Sequence, residues 1–292
     1  MIENLRGTGI ALVTPFNSDK SIDFNSLEKL INYCIDCGVE YLVTLGTTGE
    51  SVVLNKKEKQ EIIDFTAKVN NKRLPLIAGF GGSNTLKVIE EINSFDLSEI
   101  DGLLSASPNY NKPSQEGIYQ HYKAIVESTE MPIILYNVPG RTSKNMEAST
   151  TLRLANDFKN IIGIKEASGN IEQCMEIAKH RPKRFLLISG DDNLTLPTMS
   201  FGGDGVISVV GQAVPKDFSN MIREALKGDF INATKLHFKC MDLTNLLFEE
   251  NNPAGIKAAL KAINICEENL RLPNVPINSD LQKRIFEEMK KF

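Results

Sequence analysis

Short apolar runs and helical patterns alternate eight times along this chain, and that rhythm constrains the fold more than any single motif. The apolar runs fall at 7–16, 39–46, 76–81, 102–106, 132–136, 161–167, 185–189 and 205–210. They are apolar at consecutive positions rather than at every second one, as strands covered on both faces are. Patterns with apolar residues three and four apart separate them, at 23–37, 55–70, 85–95, 114–128, 146–156, 170–180 and 193–200. Asn55 and Glu58 have the spacing of a helix-opening capping box. Eight βα units within about 210 residues are what a closed (β/α)8 TIM barrel of the α/β class requires, with an open doubly wound sheet as the alternative.

After Gly211 only helical patterns remain, at 216–226, 231–248, 253–262 and 280–290, with Pro273 and Pro276 marking a rigid connection before the last. The first of these completes the eighth unit. The expected division is a catalytic barrel over residues 1–227 and a carboxy-terminal helical region over 228–292.

Of the 292 residues, 41% are hydrophobic and 24% charged, which suits a sizeable core and argues against wholesale disorder. The net charge is -4, and the longest basic cluster, Lys179 to Arg184, is interrupted by Pro182, so nucleic acid is a poor partner. The sequence starting Met-Ile-Glu-Asn-Leu-Arg-Gly lacks the basic segment and apolar run of a signal peptide, and no stretch reaches membrane-spanning length. A cytoplasmic protein without membrane partners is the expectation. Five cysteines are an odd count for a disulfide framework, and Cys34 and Cys37 fall within a helical pattern with no second ligand pair, so they read as structural thiols. His121, His180 and His237 lie in different segments without metal-ligand spacing.

Residues 162–169 read Ile-Gly-Ile-Lys-Glu-Ala-Ser-Gly, placing Lys165 near the downstream end of a buried strand, where a barrel opens into its active site. A lysine there must snorkel out, find a counter-ion or lose its proton, and only the last makes its amine a nucleophile towards a ketone. Other strand ends hold Thr47 and Thr48 in Gly46-Thr-Thr-Gly-Glu50, Tyr110 after the fourth strand, Tyr136 on the fifth and Arg141 just beyond it. Together these suit carbanion chemistry through an imine: lysine for attachment, tyrosine for proton transfer, hydroxyls for relay, and arginine for a carboxylate. Taken singly each has a plainer reading: Thr47 and Thr48 in a turn, Tyr136 as core, Glu50 as a turn acceptor, Arg141 in a surface ion pair.

Gly79-Phe80-Gly81-Gly82 lacks dinucleotide spacing, and Gly46 to Glu50 lacks the lysine of a phosphate-binding loop. Gly202-Gly203-Asp204-Gly205 reads as a tight turn entering strand eight, with its backbone close to a ligand. Gly190-Asp191-Asp192 reads as a helix start or polar contacts rather than a divalent-cation site.

The motifs Gly-Thr-Thr-Gly-Glu at 46–50, Tyr-Asn-Lys-Pro at 110–113, Tyr-Asn-Val-Pro-Gly-Arg-Thr at 136–142 and Gly-Ile-Lys-Glu at 163–166 resemble those of the pyruvate-dependent class I aldolases. Within that family, which also contains the N-acetylneuraminate lyases, the chain is most similar to the dihydrodipicolinate synthase branch, over residues 5–292. The resemblance implies condensation of pyruvate with aspartate 4-semialdehyde, in the diaminopimelate route of lysine biosynthesis, without metal, flavin or nicotinamide. It implies Lys165 as the imine-forming amine, Tyr136 as proton donor and acceptor, and Thr47 as relay to a Tyr110 borrowed from a neighbouring subunit. Thr48 and the backbone at Ile207 would hold the pyruvate carboxylate, and Arg141 that of the semialdehyde. A homotetramer built as a dimer of dimers follows from the same resemblance. Arg141 and the paired threonines depart from the N-acetylneuraminate lyase pattern, which leaves sugar-acid cleavage as the alternative activity.

Branch members inhibited by lysine carry histidine, glutamate and an extra tyrosine in an interface cleft, where this chain has Lys56, Lys59, Lys87 and Asn109, with Ser83 nearby. Three ammonium groups there would repel lysine, so weak or absent feedback is expected.

Overall fold

The computed structural model describes residues 5–292; the amino-terminal Met1 to Asn4, which enter the reading of a missing signal peptide, lie outside the described residues. Eight parallel strands close on themselves in sequence order. They are β1 (Gly7–Ala11), β2 (Tyr41–Thr44), β3 (Leu76–Gly79), β4 (Gly102–Ala106), β5 (Ile133–Asn137), β6 (Ile161–Glu166), β7 (Leu186–Ser189) and β8 (Gly205–Ser208), with β8 pairing back onto β1. The closed barrel, rather than the open sheet, is the observed architecture.

Helices α1 (Phe24–Asp36), α2 (Lys56–Asn70), α3 (Thr85–Ser94), α4 (Gln115–Glu127), α5 (Pro139–Thr142), α6 (Ala148–Asp157), α7 (Ile171–His180), α8 (Thr195–Ser200) and α9 (Pro215–Leu226) fill the crossovers. Their starts follow from local chemistry: Asp23, Asn55, Asn84, Ser114 and Asn170 each accept a first-turn N–H, and Asn55 with Glu58 forms the reciprocal capping box. The periodic segments match the sequence reading to within a few residues. Elements too short to show a period were missed: α5, and the single 3-10 turns Ser51–Val53 and Val210–Gln212. The first strand stops at Ala11 rather than residue 16, because Thr14 leaves the sheet to donate its hydroxyl to the carbonyl of Gly49.

Two apolar layers follow from the alternation of side chains along each strand. Ala11, Val43, Ile77, Leu104, Ile134, Ile188 and Ile207 fill the barrel, while Ile10, Leu42, Ala78, Leu103, Leu135, Leu187 and Val206 pack outward against the helices. The turn at Gly202–Gly205 lies at the amino-terminal end of β8, opposite the barrel mouth, which corrects the expectation that it approaches a ligand. Gly205 instead allows close passage beside Gly7, Gly203 passes close to Thr198, and Asp204 is held by Arg181, Arg6 and the Leu187 N–H. Cys34 is buried in α1 with Cys37 capping that helix. No helix among the described residues is long and apolar enough to cross a membrane.

Three more helices, α10 (Phe230–Phe248), α11 (Ala254–Ala262) and α12 (Ser279–Met289), follow the barrel. A fully buried ion pair fastens them to it: Lys257 Nζ of α11 lies 2.6 Å from Glu50 Oε1. Lys257 also donates to the Asn269 carbonyl and sits 4.4 Å from the Phe16 ring centre, and the second Glu50 oxygen accepts the Arg271 N–H. Such a pair offsets its desolvation only while both charges are present. Replacing Lys257 by Met should therefore cost about 3–5 kcal/mol of stability in urea unfolding, and adding Glu50→Gln should recover part of that loss. A double variant as unstable as the single one would mean that packing, not the stranded charge, dominates.

Candidate active site

The carboxy-terminal ends of the strands surround a cavity of about 660 Å³. Lys165, Tyr136, Thr47, Thr48 and Arg141 all line it. Lys165 and Tyr136 are register partners on β6 and β5, and the lysine Nζ lies 4.5 Å from the centre of the tyrosine ring. Both are nearly enclosed, at 6% and 8% exposure.

Lys165 reaches the interior because β6 carries an extra residue. Ile161 pairs with Ile133, but the next partner of β5, Ile134, faces Gly163, leaving Ile162 as a β-bulge. From Gly163 onward the strand again matches the inward and outward alternation of β5 and β7, so Lys165 points in with Tyr136 and Ile188. Room for its stem comes from Gly190 after β7: a methyl there would stand 3.0 Å from Lys165 Cγ and Cε and closer still to Ala167.

The Gly46–Glu50 loop is set by two non-glycine residues in left-handed conformation, Leu45 (φ 55) and Glu50 (φ 52). Such strain persists only where surrounding contacts over-determine it. Here Thr14 holds Gly49, Gly79 leaves space against Leu45, and Lys257 anchors Glu50. Thr48 is buried and its hydroxyl accepts from Asn252 Nδ2 at 3.0 Å, whereas Thr47 is exposed on the cavity side. Glu50 is thus a buried loop anchor, one of the plainer readings its sequence allowed.

Arg141 projects from α5, a turn started by Pro139, held by the Arg141 and Thr142 N–H groups on the Val138 carbonyl and ended by left-handed Ser143. It stands exposed at the rim, above the enclosed lysine. Ile207 lies lower, in the barrel's inner layer on β8, and is not on the cavity wall; Val209 is. Tyr110 is not brought to its own chain's cavity either. It is 92% exposed, in a loop where both it and Lys112 are left-handed (φ 65 and 46).

Asp191 is on the wall and caps α8's approach through the Asn193 and Leu194 N–H groups, while buried Asp192 accepts from Ser208 Oγ and the Val209 and Val210 N–H groups. Burial pushes the Asp192 carboxyl up to about 6. These are the polar contacts expected of that pair. Of the lysines expected in an interface cleft, Lys59 is ion-paired with Glu91 and so is not a bare ammonium group. Lys56 and Lys87 are exposed, which leaves two rather than three ammonium groups in that expectation without a carboxylate partner among the described residues.

Sequence reasoning missed Asn252, Gly190 and Lys257. Gly190 alone left a signal, as a glycine directly following a barrel strand. Asn252 and Lys257 lie in a helical tail whose pattern gives no hint of contact with a loop some 200 residues earlier.

Comparison with known proteins agrees with this geometry. The model of the dihydrodipicolinate synthetase family matches residues 4–291. A 4-hydroxy-tetrahydrodipicolinate synthase of Flavobacterium psychrophilum is 52% identical over 279 residues, covering 96% of this chain and 95% of that protein. One of Phocaeicola vulgatus is also 52% identical, covering 93% and 92%. Among solved structures, a monomeric dihydrodipicolinate synthase variant superposes with TM-score 0.96 at 37% identity, covering 100% of this chain and 99% of the other. The Acinetobacter baumannii enzyme, solved with pyruvate, superposes with TM-score 0.95 at 38% identity and 98% coverage of both. With the family model matching almost its entire length and half of all residues aligned to a relative identical, the chain belongs to the dihydrodipicolinate synthetase family of enzymes.

Proposed function

We propose that this enzyme condenses pyruvate, held as an imine on Lys165, with aspartate 4-semialdehyde to give 4-hydroxy-2,3,4,5-tetrahydrodipicolinate. The observation that carries the reading is an enclosed lysine amine 4.5 Å from the ring centre of Tyr136, in a cavity whose rim holds Arg141. The neutral amine adds to the pyruvate ketone and expels water, leaving an iminium that draws electrons from the adjacent methyl group. Tyr136 takes a methyl proton to form the enamine, whose carbon attacks the aldehyde, and the tyrosine returns a proton to the new alkoxide. The semialdehyde amino group then displaces the lysine amine and closes the ring. No metal or organic cofactor is required, because the iminium is the electron sink.

In this scheme Thr48 holds the pyruvate carboxylate, Thr47 relays protons, and Arg141 receives the semialdehyde carboxylate with its planar fork, whereas Ile207, outside the cavity wall, takes no part. Tyr110 completes the relay in a second copy of the chain. Its 92% exposure, off its own cavity wall, supports that assignment, and on this reading the working form is at least a homodimer, with the dimer of dimers and the cytoplasmic location following from the family resemblance. Sugar-acid cleavage is not favoured, since Arg141 suits a carboxylate-bearing acceptor and the similar proteins carry the synthase name.

Borohydride reduction in the presence of pyruvate should leave a covalent adduct that peptide mapping places on Lys165; an unmodified lysine would end this reading. Replacing Arg141 by Ala should preserve that adduct while lowering kcat/KM for the semialdehyde about tenfold to a hundredfold, the loss of one charge-assisted contact. Equal damage to trapping and condensation would contradict the assigned role of Arg141.

A further inference from the structure

Glu166 follows Lys165 on β6 and faces the opposite way, into the layer between barrel and helices, where it is 3% exposed. Every contact recorded for its carboxylate comes from a donor. Asn137 Nδ2 lies 3.0 Å from both oxygens, the Ser168 N–H 2.8 Å from Oε1, and Gln173 Nε2 2.8 Å from Oε2. A protonated acid would turn its own hydrogen towards one of these N–H groups and lose a contact. Burial pushes the carboxyl upward, while all of these hydrogen bonds favour the anion.

The amides form a closed ring around it. Asn137 Nδ2 also donates to Asn145 Oδ1, Asn145 Nδ2 to Gln173 Oε1, and Gln173 back to Glu166. Asn137 Oδ1 in turn accepts the Met146 N–H ahead of α6. The ring therefore joins the ends of β5 and β6 to the two helices behind them.

Its place in the register gives it a consequence for catalysis. Asn137 and Glu166 are partners one step beyond Tyr136 and Lys165. The bulge at Ile162 means that the last residues of β6 face correctly only while that offset is kept, and a slip by one residue would turn Lys165 out and Glu166 in. Such a slip would also strip Asn137, Ser168 and Gln173 of their acceptor. We propose that Glu166 is a positioning residue: as a buried carboxylate it locks the β5–β6 register and so sets the spacing of the Lys165 amine and the Tyr136 phenol. The inference rests on the imine reading of Lys165.

Glu166→Gln keeps the shape but adds donors where donors already converge. Pyruvate should still be trapped on Lys165 by borohydride, with KM for pyruvate changed less than about threefold. Both kcat and deuterium exchange into the pyruvate methyl group, which needs Tyr136 correctly placed, should fall about tenfold to a hundredfold. Gln173→Met, which removes the Nε2 donor to Glu166 and the Oε1 acceptor of Asn145 but leaves the Glu166 carboxyl in place, should shift the same readouts in the same direction by less, and it decides the matter should Glu166→Gln fail to fold. Exchange and kcat within about twofold of wild type in the soluble variants would overturn the proposal. So would trapping, exchange and kcat falling together in proportion to the folded fraction, the mark of a merely structural residue. Absence of the adduct in the wild-type enzyme is a separate failure, of the imine reading itself, and takes this inference with it.

Discussion

A strand in a closed barrel has one face towards the lumen and one towards the helices, and a residue's parity decides which it sees. Everything at this cavity depends on Lys165 having the inward parity. Ile162 belongs to the interior layer, so an unbroken alternation from it would send Ile164 inward and Lys165 outward. The extra residue at the bulge reverses this, and the pairing of Lys165 with Tyr136 on one side and Ile188 on the other follows. The glycine that directly follows the bulge fits the same constraint, because a methyl at Gly163 would stand 2.9 Å from Leu186 Cβ and its carbonyl oxygen.

The second strand's loop is built differently, from distant parts of the chain. Thr14 from the loop after β1, Gly79 at the end of β3, and Asn252, Lys257 and Arg271 from the carboxy-terminal region all converge on residues 45–50. Arg271 extends this grip by pairing with Glu58 and donating to the carbonyls of Lys20 and Val53. The tail is therefore part of the cavity's construction: it holds the strained backbone that presents Thr47 and Thr48. A loop with two left-handed non-glycine residues would relax without such anchors.

How much of this the sequence revealed depends on the range of the physics involved. Strands buried on both faces and helices with capped starts are local signals, so the eight-unit barrel and the Asn55–Glu58 capping box were legible. Lys165, Tyr136, Thr47, Thr48 and Arg141 were legible because barrel topology gathers strand ends at one mouth, and the structure places all five on one cavity wall. The bulge was not, since a run of apolar residues looks the same with one extra member. The Lys257–Glu50 pair was not, since a lysine in an apolar helical pattern gives no sign of its partner. Tyr110 is the opposite case: its motif was readable, but a single chain leaves it in solvent, and Lys59 was misjudged because Glu91 lies 32 residues away.

Two buried lysines of this chain, Lys257 and Lys165, sit in contrasting surroundings. Lys257 is wholly enclosed, with a carboxylate at 2.6 Å, a carbonyl at 2.8 Å and an aromatic ring beside it; burial draws its pKa below the usual lysine range, and Glu50 opposes that shift. Lys165 is almost as enclosed, but among the described residues its ammonium meets the face of Tyr136 rather than a carboxylate, and its tip borders open cavity. The nearest acid in sequence, Glu166, is turned to the other side of the strand and spent on four N–H contacts. Alternation along β6 thus does two things at once: it turns Glu166 into the ring of amides behind the strand ends, and it keeps that carboxyl group off the wall of the pocket that Lys165 and Tyr136 line.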